Sequence, residues 1–139
     1  MGFRLALFFA LLSPLPASEP FFTLHPSPQS HFVEFAPHPN GTLYLLDSAG
    51  RISLFDGYRF HPWAPSSLPT NGVPQHIAVD GLGHLWLAYP TALYAFQDTT
   101  LRATFPRHSI RALLPTPTSV IASDAYPFEY FASGQFRLL

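Results

Sequence analysis

The chain has 139 residues, enough for one domain, with 16% aromatic against 11% charged residues and a formal net charge of −1. That mix is far from a disordered composition, and no basic cluster supplies the electrostatic footprint of a nucleic-acid binder. With no cysteine in the chain, a disulfide framework, a cysteine zinc site and a thiol nucleophile are excluded together.

Residues 1–17 differ in kind from the rest. Arg4 makes a short positive region, residues 5–12 are uninterruptedly apolar, and Ser13-Pro14-Leu15-Pro16-Ala17 follows as a cleavage-type segment. This is the pattern of a secretory signal peptide, so export to a periplasmic or extracellular location is expected. The apolar block is too short to span a bilayer, and no membrane span is expected beyond it. Residues 18–29 form a leader. Within it Pro20-Phe21-Phe22-Thr23-Leu24 reads either as the lead-in to the first repeat or as a strand completing another blade.

From residue 30 onward one pattern recurs. Leu43-Tyr44-Leu45-Leu46, Leu85-Trp86-Leu87-Ala88 and Val120-Ile121-Ala122-Ser123 begin 42 and then 35 residues apart. Each is followed by a second apolar run, at 52–55, 93–96 and 128–131, and then by Phe60, Leu101 or Phe136. In the first repeat the spacing predicts strands at 32–35, 42–46, 52–55 and 58–61, with Asn40-Gly41 and Ser48-Ala49-Gly50 as turns. Asp56-Gly57 predicts a type I′ hairpin, which needs positive φ at both central residues. The second repeat predicts strands at 76–79, 85–89, 93–96 and 101–105, with Asp80-Gly81 and 97–100 as turns. The third is weaker, at 110–114, 119–123, 128–131 and 135–138, and has Thr118 where the others carry Gly41 and Gly83.

Self-similarity at this period means one supersecondary unit used several times. Four-stranded antiparallel units at this spacing are blades, so the fold class is all-β: a partial β-propeller of about three four-stranded antiparallel blades. The blades fall at about 30–63, 75–105 and 109–139, with the proline-rich stretch 64–74 as a connection. A jelly roll or sandwich would not need the same residue types at equivalent places three times. Closed propellers use typically four to eight blades. Three leave a terminal face on each side, both expected to be apolar and rich in Phe and Leu. The chain is therefore expected to be a piece of a longer protein that supplies the missing blades, or else to associate with copies of itself.

Residues 77–88, Ile77-Ala78-Val79-Asp80-Gly81-Leu82-Gly83-His84-Leu85-Trp86-Leu87-Ala88, resemble the two-component regulator propeller repeat, and Ala92-Leu93-Tyr94-Ala95-Phe96 fills that repeat's closing slot. The resemblance extends over about 30–139 and is specific in the middle repeat. Ala88 and Tyr89 replace the family's Gly and Thr, and the first repeat has Tyr44 in place of Trp. It implies the extracytoplasmic sensor region of a bacterial hybrid histidine kinase, with a glycan or small molecule as ligand and a role in signal transduction.

Candidate sites are few. The seven histidines form no ligand-spaced pair, so no metal is expected. The carboxylates Glu34, Asp47, Asp56, Asp80, Asp98, Asp124 and Glu129 read mostly as turn formers. Asp47 and Asp124 close the second strand of their repeats, where Tyr89 stands in the middle one. A row of Asp47, Tyr89 and Asp124 would hydrogen-bond a polar ligand, with Tyr89 stacking on a sugar ring. The plainer alternative is solvation of strand ends. With Asn only at Asn40 and Asn71, both before Gly, there are too few oxygen ligands for a lactonase-type calcium centre within this chain. No nucleophile elbow or phosphate loop occurs. The expected function is an exported, non-catalytic ligand- or protein-binding module of sensor type, without cofactor. The alternatives are part of a metal-dependent lactonase-like propeller and a self-associating structural module.

Overall fold

The computed structural model describes residues 31–65, 67 and 72–139. The expected export segment, the leader with Phe21 and Phe22, and part of the 64–74 connection lie outside the described residues. Among the described residues there are twelve strands and no helix. The first sheet contains β1 (Phe32–Pro37), β2 (Leu43–Asp47), β3 (Ile52–Phe55) and β4 (Phe60–Pro62). The second holds β5 (His76–Val79), β6 (His84–Ala88), β7 (Ala92–Gln97) and β8 (Thr100–Pro106), and the third β9 (Ala112–Pro115), β10 (Val120–Ser123), β11 (Phe128–Tyr130) and β12 (Phe136–Leu138). Each sheet is an antiparallel meander in chain order, and β5 lies between β1 and β9, so the first strands of all three sheets stand side by side. This is a partial β-propeller of three blades.

The middle sheet explains its own sequence. Side chains alternate across a strand, so a run buried on both faces reads as continuously apolar. Leu85, Leu87 and Tyr89 pack with Ile77, Val79 and Phe96 against Tyr44, Leu46 and Ile52 of the first sheet. Trp86 and Ala88, from the same strand, point the other way with Ala78, Leu93, Ala95 and Phe105, onto Val120, Ala122 and Tyr130 of the third. Trp63, just beyond β4, closes the rim of the first interface. Its Nε1 donates to the Asp98 carbonyl (2.9 Å) and its ring meets Phe96 edge-on at 5.0 Å.

Turns join the sheets as well as the strands. Gly81 donates its N–H to the Thr116 carbonyl of the third sheet (2.9 Å), and a Cβ there would lie 2.5 Å from the Pro117 carbonyl oxygen. Gly81 is thus required by close approach of two backbones rather than by its dihedral angle. The hairpin between β3 and β4 departs from the type I′ expectation. Gly57 has φ of 98°, whereas Asp56 is not among the positive-φ residues. Asp56 instead accepts the Tyr58 and Arg59 N–H groups on its carboxylate (both 2.8 Å), which moves the glycine to the first central position, as in a II′ turn.

The two terminal faces also differ from the expectation that both are apolar. On the first sheet Phe35 is 71% exposed and Phe32, Phe55 and Phe60 form a ring cluster with centroids 4.8–5.9 Å apart. The outward row of the third sheet runs Leu114, Ile121, Glu129, Arg137. Glu129 there accepts from the Ser119 hydroxyl and the Arg137 guanidinium, each at 2.5 Å. A repeat face that no neighbouring sheet covers is stabilised by polar groups of this kind.

Candidate functional site

The side-by-side first strands leave the open edge of β5 facing β1. Its Ile77 N–H is not taken up by β6 and donates to Glu34 Oε2 of β1 (2.9 Å). The other oxygen of Glu34 lies 2.5 Å from His76 Nδ1, which must donate because an ionised carboxylate only accepts. One acid therefore ties the first sheet to both the backbone and a side chain of the second. The two side chains are 27% and 33% exposed, so solvent screens this contact in part.

Two concavities open on this wall. The smaller, about 380 Å³, is lined by Val33, Glu34, Phe35, His76, Ile77, Arg111, Ala112 and Leu113. The larger, about 670 Å³, reaches the β2–β3 turn and the 73–75 segment, where Asp47, Ser48 and Gln75 contribute. Val33, His76 and Arg111 line both. Arg111, just before β9, is fixed by its backbone N–H to the Ser123 carbonyl (2.8 Å). Its guanidinium has no hydrogen bond or ion pair among the described residues. A third concavity of about 630 Å³ lies at the opposite end of the sheets, between His84, Gln97 and Arg102 of the second and Thr118 and Phe131 of the third. There Arg102 is engaged by Gln97 Oε1 through Nε (3.0 Å) and Nη2 (2.6 Å).

The row expected from sequence stands at one end of the three sheets, and each member has internal partners. Asp47 is 4% exposed and accepts the Ala49 and Arg51 N–H groups (both 2.9 Å) and Arg51 Nε (2.8 Å). Burial pushes its carboxyl up, but these donors together outweigh that and hold it below the usual carboxylate value. Tyr89 is 3% exposed, edge-on to Tyr94 at 5.2 Å, and burial, then the neighbouring Tyr94, raises its phenol above the ordinary value. Asp124 pairs with Arg107 at 2.8 Å and accepts the Tyr126 N–H at 2.7 Å. Asp47 lines the larger concavity; Tyr89 and Asp124 do not. Among the described residues no three His, Asp or Glu side chains converge as metal ligands.

No known family's sequence model matches this chain, and no curated protein matches it. The site thus stands on its own geometry. No helix among the described residues is long and apolar enough to cross a membrane.

Reading carboxylates as turn formers holds for Asp47, Asp56 and Asp80, but not for Glu34 or Glu129, which lie within β1 and β11. Glu34 carried one local signal: it is the charged residue in an otherwise apolar Phe32-Val33-Glu34-Phe35 run. Asp80 does more than turn the chain. Fully buried, it accepts the Leu82 and His84 N–H groups (3.0 Å each) and Trp86 Nε1 (2.9 Å). Arg111 gave no signal, because it precedes its strand and its surroundings come from two other sheets.

Proposed function

We propose that this chain is an exported, non-catalytic binding module of the sensor type, a partial propeller that takes up a glycan, small molecule or protein segment where its first strands meet. The observation that carries the reading is the pair of concavities along β1, β5 and β9, about 380 and 670 Å³, which share Val33, His76 and Arg111 and are in the size range of ligand pockets. The acids around them hold the scaffold: Glu34 binds His76 and the β5 edge, Asp47 its own turn. The middle repeat adds support, since Asp80 and Trp86, on which the resemblance to the two-component regulator propeller repeat rests, are hydrogen-bonded to each other.

Thermal-shift and calorimetric screening of the purified chain against neutral oligosaccharides and small organic acids tests this. A saturable, stoichiometric response to one class is the expected result. No response to any solute, with calcium or zinc retained stoichiometrically after purification, overturns it in favour of the lactonase-like alternative. A self-associating structural role is the second reading, favoured by Phe35, which is 71% exposed on the first sheet. Light scattering at two protein concentrations separates the two.

A further inference from the structure

We infer that Arg111 anchors a site for a small organic carboxylate with an apolar body, a narrowing that rests on the binding-module reading above. The charge distribution leads to it. Arg51 pairs with Asp47, Arg107 with Asp124 and Arg137 with Glu129, while Arg102 is held by Gln97. Arg111 lines both concavities and has no such partner among the described residues. The acid that shares the smaller concavity with it, Glu34, already has one oxygen on His76 Nδ1 and the other on the Ile77 N–H. Arg111, itself exposed, therefore borders a space whose own carboxylate is occupied.

The rest of the lining decides the kind of anion. Val33, 57% exposed, and the half-buried Leu113 give the smaller concavity apolar residues beside that charge. A guanidinium presents paired N–H groups that match the two oxygens of a carboxylate. An aryl or alkyl body attached to that carboxylate would cover Val33 and Leu113 and remove their surface from water. An inorganic anion would use the charge and leave those residues bare, and a neutral sugar would leave the charge unpaired. About 380 Å³ accommodates a molecule of the size of a substituted benzoate.

The test is titration of the full chain with benzoate, its neutral counterpart benzamide, and sulfate, followed by ¹H–¹⁵N chemical shifts and calorimetry. Saturable benzoate binding is expected, with benzamide and sulfate at least about ten-fold weaker, since a charge-assisted hydrogen bond is worth about that factor or more. R111A should weaken benzoate by about ten-fold or more. R59A removes the same charge from an exposed hairpin that lines none of these spaces and should leave binding unchanged. Equal losses in R111A and R59A would reduce the effect to net charge and overturn the inference. Binding of a neutral oligosaccharide with none of benzoate would also overturn it while leaving the binding-module reading intact. If neither class binds, that reading fails as well. Circular dichroism of R111A checks that the sheets persist, and R111K, which keeps the charge but loses the planar fork, should fall between wild type and R111A.

Discussion

Trp86, Tyr44 and Ile121 occupy the same register position in the second, first and third sheets, opposite Ala78, Ala36 and Leu114. Their surroundings differ. Trp86 has no exposed surface, lies 6.3 Å from the Phe105 ring and donates to Asp80. Tyr44 is buried at the first interface, but His38 stands where Asp80 does and contributes only a ring contact at 6.2 Å. Ile121 faces outward beside Leu114 and Glu129 with no sheet of the described residues over it. The same position is thus an anchored aromatic, a plain interface aromatic and a surface aliphatic. What the residue must be is set by whether the following sheet covers it, and by whether the first turn supplies a carboxylate.

Truncation at this position should grade accordingly. Trp86→Ala is expected to cost about 3–5 kcal/mol, a large share of the 5–15 kcal/mol that holds a typical domain together, and it also leaves Asp80 without one of its buried donors. Tyr44→Ala should cost about 2–3 kcal/mol. Urea denaturation followed by circular dichroism measures both, and equal losses would erase the distinction between an anchored and an unanchored site. Gly81→Ala comes next. The new methyl meets Pro117 backbone at 2.5–2.6 Å, so the second and third sheets must separate slightly, at about 1–3 kcal/mol. A neutral Gly81→Ala would mean that the two turns are not pressed together.

The blades were readable because their cause is local and repeated. Alternation, turn dipeptides and the doubly buried run 85–89 placed all twelve strands to within a few residues. The hairpin at Asp56-Gly57 was readable as a hairpin but not by type, since the choice depended on where the Asp56 carboxylate found donors. The concave site was not readable. Glu34, His76 and Arg111 are 42 and 35 residues apart in the chain, and their proximity arises from three sheets placed side by side. Nothing within a window of one strand distinguishes an inner-edge His76 from a surface histidine. The outward face of the third sheet was hidden for a related reason: Glu129 looks like a turn acid until its strand is paired with Arg137.

Acid should act on the first and third sheets through particular groups. The Asp47 carboxyl lies below its ordinary value because its hydrogen-bond donors override burial. Glu129 lies below its own because the Ser119 hydroxyl, ahead of the opposing effect of burial, and then Arg137 favour the charged form. A carboxyl whose folded-state value is depressed contributes stability that is complete above its unfolded value, about pH 4, and is lost as pH falls through the folded value. Urea midpoints should therefore hold between pH 7 and 5 and fall toward pH 3. Asp47→Asn should be less stable at pH 7 and lose less on acidification, so that its curve approaches wild type at the acid end. Glu129→Gln should show the same convergence. A variant curve that stays parallel to wild type throughout would assign the acid loss to other groups.

The finest contrast is between the outward faces of the first and third sheets. Phe35→Ser on the first sheet and Ile121→Ser on the third both remove apolar surface that no other sheet of the described residues covers, so neither should change unfolding free energy by more than about 0.5–1 kcal/mol. Their effects on association should differ. Phe35 is an exposed aromatic of the kind that drives contact between molecules, whereas Ile121 lies beside the Glu129–Arg137 ion pair. If the wild-type mass by light scattering rises with concentration, Phe35→Ser should remove the rise and Ile121→Ser should leave it. A loss of 2 kcal/mol or more in Ile121→Ser would show that part of the chain covers the third sheet's outer face. A rise abolished by Ile121→Ser alone would place self-association on that sheet instead, and the ion pair would then belong to an interface rather than to a solvated end.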